Sequence, residues 1–169
     1  DMVRDFAKTE LAPIAQEIDN SGSFPVESLK KMGKLGLLGI PWLEQYGGYG
    51  MDTLALVIAI EELGKVCTST AATMMAHTSL GSAPIYLFGT EEQKNKYIPA
   101  LSSGKILGAF GLTEPNAGSD AGATETTAKK NNDGYLINGQ KAFCTNAGVA
   151  GLIIFTAVLV MDLSFRYFS

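Results

Sequence analysis

Apolar residues recur at helical spacing through the first hundred positions of this chain and at strand spacing after them. Val3, Phe6, Leu11, Ile14 and Ile18 keep a helical rhythm. Pro13 should kink or restart that helix, because proline lacks the N–H that the preceding turn needs. A turn is predicted over 20–23. Pro25 then suits the first turn of a second helix, whose Leu29, Met32 and Leu35 share a face until Gly36 and Gly39 end it. The glycines of Tyr46-Gly-Gly-Tyr-Gly50 can take positive φ, and a helix carrying Leu54, Val57, Ile58 and Leu63 follows. Residues 68–88 are almost free of charge, so the predicted helix there is apolar on most sides and belongs at the centre of a bundle. Thr90-Glu-Glu-Gln93 is a capping box. It opens a short helix with Tyr97, Ile98 and Leu101, which Ser102-Ser-Gly104 stops.

From Lys105 the pattern changes. Residues 106–112, 124–129, 135–137, 142–145 and 152–160 read as strands, and Asn131-Asn-Asp-Gly134 is a hairpin signal. The predicted class is α+β: a helical bundle over residues 1–104, followed by an incomplete antiparallel β domain over 105–169.

Composition narrows the function classes. Of 169 residues, 46% are hydrophobic and 18% charged, which is globular rather than disordered. A net charge of −4 offers no basic footprint to nucleic acid, and the pairs Lys30-Lys31 and Lys129-Lys130 read as solvated surface. The apolar run 147–161 is shorter than the roughly 18 residues of a membrane span. It also holds Val and Ile, which favour strand, and is followed by the charges Asp162 and Arg166. A membrane partner is therefore not expected. Cys67 and Cys144 make no disulfide framework, which points to a reducing, intracellular setting. His77 is the only histidine and lies on an apolar helix, so it reads as a satisfied core residue and no His-based metal site is possible. Glu61 and Glu62 point about 100° apart on a helix and make no glycosidase pair. Met74 and Met75 read as core filling.

Phe110-Gly-Leu-Thr-Glu-Pro-Asn-Ala-Gly-Ser-Asp120 starts as strand and ends as a loop that exposes backbone N–H groups. Lys141-Ala-Phe-Cys-Thr-Asn-Ala-Gly148 follows it. Together these two runs resemble the acyl-CoA dehydrogenase family, whose flavin loop reads much like F-G-L-T-E-P-x-A-G-S-D and whose next flavin segment reads like K-x-[WF]-I-T-N. The resemblance implies that Phe110, Leu112, Thr113, Gly118 and Ser119 line FAD, with Ser119 also meeting the acyl-CoA. It likewise implies that Phe143, Cys144 and Thr145 form the second flavin segment, Thr145 near the reactive edge. Phe143 stands where many members have Trp, and Cys144 also reads as a buried strand residue. The loop 46–52 resembles a family loop too, but as a turn that needs glycine.

The implied reaction is α,β-dehydrogenation of an acyl-CoA to the trans-2-enoyl-CoA. A glutamate removes the α proton, and the β hydrogen leaves as hydride to the flavin. The wording Ala76-His-Thr-Ser-Leu-Gly81 looks like the short-chain, butyryl-type members, and the acyl chain is expected beside residues 68–88. In the family the glutamate comes from a C-terminal helical domain that has no counterpart here, so no catalytic residue is expected within the chain. The resemblance covers about residues 2–156, and the text is expected to diverge or be truncated after about 157, leaving an open sheet edge. The implied partners are an electron-transfer flavoprotein and copies of the same subunit. The implied setting is bacterial cytoplasm or mitochondrial matrix. The competing reading is a non-catalytic binding module that associates with full-length relatives.

Overall fold

A computed structural model describes residues 1–160. α1 (Met2–Phe6) continues as π-helical turns over Ala7–Leu11, and α2 (Ala15–Ser21) restarts past Pro13, as the missing proline N–H requires. α2 runs on through Asn20 and Ser21, and Gly22, at φ 65°, makes the reversal. α3 (Val26–Lys34) follows Pro25 and buries Leu29 and Met32, and Gly36 at φ 71° ends that stretch. Asp52 caps α4 (Thr53–Gly64), its carboxylate accepting from the Ala55 N–H at 2.9 Å. The uncharged stretch is not one regular helix. It consists of α5 (Thr68–Met75), a π-helical segment Ala76–Ser82 and α6 (Ala83–Phe88). α7 (Glu91–Ser102) carries both bonds of its capping box, between Thr90 and Gln93.

These helices share one core in which Leu11, Met32, Leu37, Leu38, Leu63 and Met74 are fully buried. Each such side chain contributes about 1.5–3 kcal/mol relative to exposure. Met75 is half-exposed, so only its neighbour Met74 fills the core. Glu61 and Glu62 are engaged in ion pairs: Arg4 donates to Glu62 at 2.8 Å, and Lys65 reaches both carboxylates. The Arg4 hydrogen bond, then that of Lys65, holds the Glu62 carboxyl down at about 2.

The described residues divide into two compact units, Asp1–Ala109 with Thr145–Ile153, and Phe110–Cys144 with residues 154–160. Five strands follow the helices: β1 (Gly108–Gly111), β2 (Thr127–Asn131), β3 (Gly134–Asn138), β4 (Leu152–Phe155) and β5 (Val158–Val160). β1 pairs with β4, while β2 lies between β3 and β5 in a three-stranded sheet. The α+β class is what the chain shows. β2 and β3 are the predicted antiparallel hairpin, turning at Asn131–Gly134, and β5 adds to β2 in parallel.

Three strand expectations change. Residues 142–144 are irregular and lead into a turn over 145–149, because Phe143 (φ 54°) and Asn146 (φ 71°) hold left-handed backbone that no strand tolerates. The predicted strand 124–129 begins only at Thr127, since the amides of Glu125 and Thr126 bond to the Glu114 side chain instead. The stretch 152–160 is two strands. Thr156 donates its N–H to Gly111 (3.1 Å) and Val158 donates to Thr126 (2.8 Å), so the chain changes partner strand between them. Part of the tail expected to diverge, residues 161–169, lies outside the described residues.

Candidate functional site

In the second unit, β1 delivers Phe110 and Gly111 into the loop. Leu112 is exposed and Thr113 half-buried. Glu114–Ala117 closes as a tight turn through two backbone hydrogen bonds, 2.8 and 3.2 Å. Pro115 presets the first corner and Ala117 is buried beneath it. Gly118 and Ser119 then emerge into solvent, and nothing lies within 4 Å of where a Gly118 Cβ would sit.

The structure brings the segment 141–144 onto this loop. Ala142 donates its N–H to the Thr113 carbonyl at 2.8 Å, and the Cys144 thiol donates to the Phe110 carbonyl at 3.1 Å. Gly111 permits the approach. A Cβ there would lie 3.0 Å from Lys141 Cγ and 3.1 Å from Cys144 Sγ. Cys144 is thus half-buried in an irregular loop rather than buried in a strand. Phe143 projects outward, 94% exposed, on a backbone conformation that costs a bulky residue roughly 1–2 kcal/mol.

Thr145 opens the 145–153 segment of the first unit and is exposed. Its neighbour Asn146 is buried and donates to the carbonyls of Thr73 (3.1 Å) and Gly108 (3.2 Å). That pair of bonds fixes the backbone from which Thr145 springs.

Two residues inside the two motifs, to which the resemblance gives no role, meet in the structure. Glu114 and Lys141, 27 positions apart, form a shielded ion pair at 2.6 Å. Lys141 also donates to the Leu112 carbonyl (3.1 Å) and the Thr156 hydroxyl (2.9 Å). Glu114 accepts from the amides of Glu125 (2.6 Å) and Thr126 (3.0 Å). These bonds, Lys141's foremost, hold the Glu114 carboxyl down at about 2. The signal was present in the wording Thr-Glu-Pro and Lys-Ala-Phe, but spacing alone joins neither residue to the other.

His77 is the core residue its sequence context suggested. Nε2 donates to the Leu101 carbonyl (3.2 Å) and Nδ1 accepts from the Gly108 amide (2.9 Å), which defines a neutral tautomer. Burial pushes its pKa down to about 4. Among the described residues no cluster of His, Cys, Asp and Glu could hold a metal, and no helix is long and apolar enough to cross a membrane.

Residues 1–105 match the family model for the acyl-CoA dehydrogenase N-terminal domain, and residues 109–166 that for the middle domain. The chain is 56% identical over 158 residues to Probable acyl-CoA dehydrogenase YngJ of Bacillus subtilis, covering 94% of this chain and 42% of that protein. It is 52% identical to the short-chain specific acyl-CoA dehydrogenase of Clostridium acetobutylicum, covering 93% and 41%. The structure of butyryl-CoA dehydrogenase from Megasphaera elsdenii superposes with a TM-score of 0.87 at 45% identity, covering 92% of this chain and 42% of that one. An acyl-CoA dehydrogenase from Bacillus anthracis, solved with FAD, gives 0.84 at 41% identity, covering 94% and 28%. The chain thus spans about two-fifths of the curated relatives it matches. With both family models accounting for nearly every residue, this chain belongs to the acyl-CoA dehydrogenase family.

Proposed function

We propose that the protein is the flavin-facing part of an oxidoreductase that converts a short-chain acyl-CoA to its trans-2-enoyl-CoA, and that residues 1–169 by themselves, without the proton-abstracting base, do not turn over. The observation that carries this reading is the apposition of 110–119 and 141–144 in one unit, with the Phe143 ring turned outward. The residues fit FAD: an exposed aromatic face at Phe143, the apolar Leu112, hydroxyls at Thr113 and Ser119, and open space over Gly118. Phe110, Leu112, Thr113, Gly118, Ser119, Phe143 and Cys144 are the proposed contacts in the second unit, and Thr145 is the proposed contact in the first. When bound, FAD supplies the hydride acceptor that no side chain provides.

Ser119 is the residue we assign to the acyl-CoA. The acyl chain is placed beside residues 68–88, where Met75, Leu80 and Leu87 are exposed. The proton-abstracting base is assigned to neither Glu62 nor Glu114. A base works best with a pKa near the working pH, and both are held at about 2 by cations. We assign residues 1–104 to the N-terminal helical domain and the rest to the middle β domain, with an electron-transfer flavoprotein and further copies of the subunit as partners. A second reading, a module that binds full-length relatives without catalysis, is favoured by the exposed apolar side chains of β3 and β5, Tyr135–Ile137 and Val158–Val160.

The test is the visible spectrum of the purified chain after incubation with FAD and gel filtration. A retained band with shifted maxima is expected, and the Phe143→Ala variant should lose most of it. Complete loss of flavin from the unmodified chain sinks the cofactor assignment and leaves the binding-module reading standing.

A further inference from the structure

The Glu114–Lys141 pair has no part in the proposed chemistry, yet it is densely bonded to the backbone and side chains around it. Every ammonium donor of Lys141 is used, on Glu114, Leu112 and Thr156. Glu114 in turn anchors Glu125 and Thr126. One ion pair therefore fixes four separate stretches: the loop after β1, the segment 141–144, the entry to β2 and the end of β4. Two further hydrogen bonds join the loop to the 141–144 segment among the described residues, Ala142 to Thr113 and Cys144 to Phe110.

We propose that Lys141 and Glu114 are positioning residues that set the register between the 110–119 loop and the 141–144 segment, so that Phe143 and the loop present one rigid surface. The inference rests on the flavin reading for its consequence, not for its geometry. Shielding matters here. With side chains 13% and 2% exposed, the two charges are screened little by salt, so the lock holds at ordinary ionic strength. Removing the cation leaves a buried carboxylate without its counter-charge, which is far more disruptive than losing a surface pair. The low pKa of Glu114, at about 2, keeps its carboxylate charged at neutral pH.

The experiment compares the chain with Lys141→Met and Lys141→Arg by amide hydrogen exchange and by FAD titration. In Lys141→Met the amides of Glu125, Thr126 and Ala142 should exchange about tenfold faster or more, while Ile98 and Leu101 in α7 keep their rates, and FAD affinity should fall at least about tenfold. Lys141→Arg, which returns a cation within reach of Glu114, should restore both to within about threefold. Unchanged exchange at those three amides in Lys141→Met overturns the proposal, whatever flavin does. So does accelerated exchange with unchanged FAD affinity. If the unmodified chain takes up no FAD, the flavin reading fails by itself and the exchange rates still decide the lock. Should Lys141→Met not fold, Glu114→Gln, which keeps an acceptor for Thr126, is read in its place.

Discussion

Lowering the pH from 7 to 4 is expected to remove about 3 kcal/mol of folding stability through His77 alone. The unfolded chain takes up a proton on this side chain near its ordinary value of 6.5, whereas the folded chain refuses it until about pH 4. Between those values the unfolded state binds more protons, so stability falls as pH falls. The contribution is complete above about 6.5 and lost below about 4. The gap of about 2.5 pH units corresponds to the figure of about 3 kcal/mol. The cause is physical and local. An imidazolium would have to sit in a desolvated site, and its Nδ1–H would confront the Gly108 N–H that Nδ1 now accepts from. Urea unfolding at a series of pH values, for the chain and for His77→Gln, measures the effect. The glutamine keeps a donor and an acceptor but cannot titrate, so its pH profile should be flatter by about that amount. As the chain has one histidine, its ring proton resonance reports the same titration without ambiguity. A midpoint at pH 6 or above would contradict the assignment.

Gly81→Ala should be at least as damaging. An added Cβ would sit 2.5 Å from the carbonyl carbon of Gly108 and 2.6 Å from its Cα, with the Ala109 nitrogen at 2.9 Å. All three are backbone atoms, so no rotamer change can make room. The π-helical segment and the start of β1 must separate, at a cost on the order of 3 kcal/mol or more. Against a total stability of roughly 5–15 kcal/mol for a domain, that is a large share. Gly148→Ala is the matched control, since nothing lies within 4 Å of its Cβ position, and it should stay within about 0.5 kcal/mol of the parent. Thermal and urea unfolding of both variants decide the matter, and a Gly81→Ala chain as stable as Gly148→Ala would refute it. The Gly81 and His77 effects share Gly108 as a neighbour, so a double variant should not show their simple sum.

Elements written in local code were legible in the sequence. The Thr90–Gln93 box and the Asn131–Gly134 hairpin each depend on residues within four positions of one another, and both formed as read. The core role of His77 followed from its uncharged surroundings. What sequence could not show was set by partners far along the chain. Nothing in Glu125-Thr126 tells that their amides are claimed by Glu114, so periodicity starts the strand three residues early. Nothing in Thr156-Ala157 tells that two different strands wait on either side. The candidate contacts were legible only through resemblance to a family. Periodicity assigned 142–145 to a strand, because neither Phe nor Cys hints at a left-handed backbone. Glu114 and Lys141 were in view throughout, but their partnership is tertiary.

The backbone at Phe143 has a last consequence, for engineering. Glycine would occupy φ 54° without strain and return roughly 1 kcal/mol to the fold. It would also delete the ring that stands in solvent there. The residue that folds best at 143 and the residue that offers an aromatic face are different residues. A screen that ranks variants by melting temperature alone will therefore drift away from the one this chain carries.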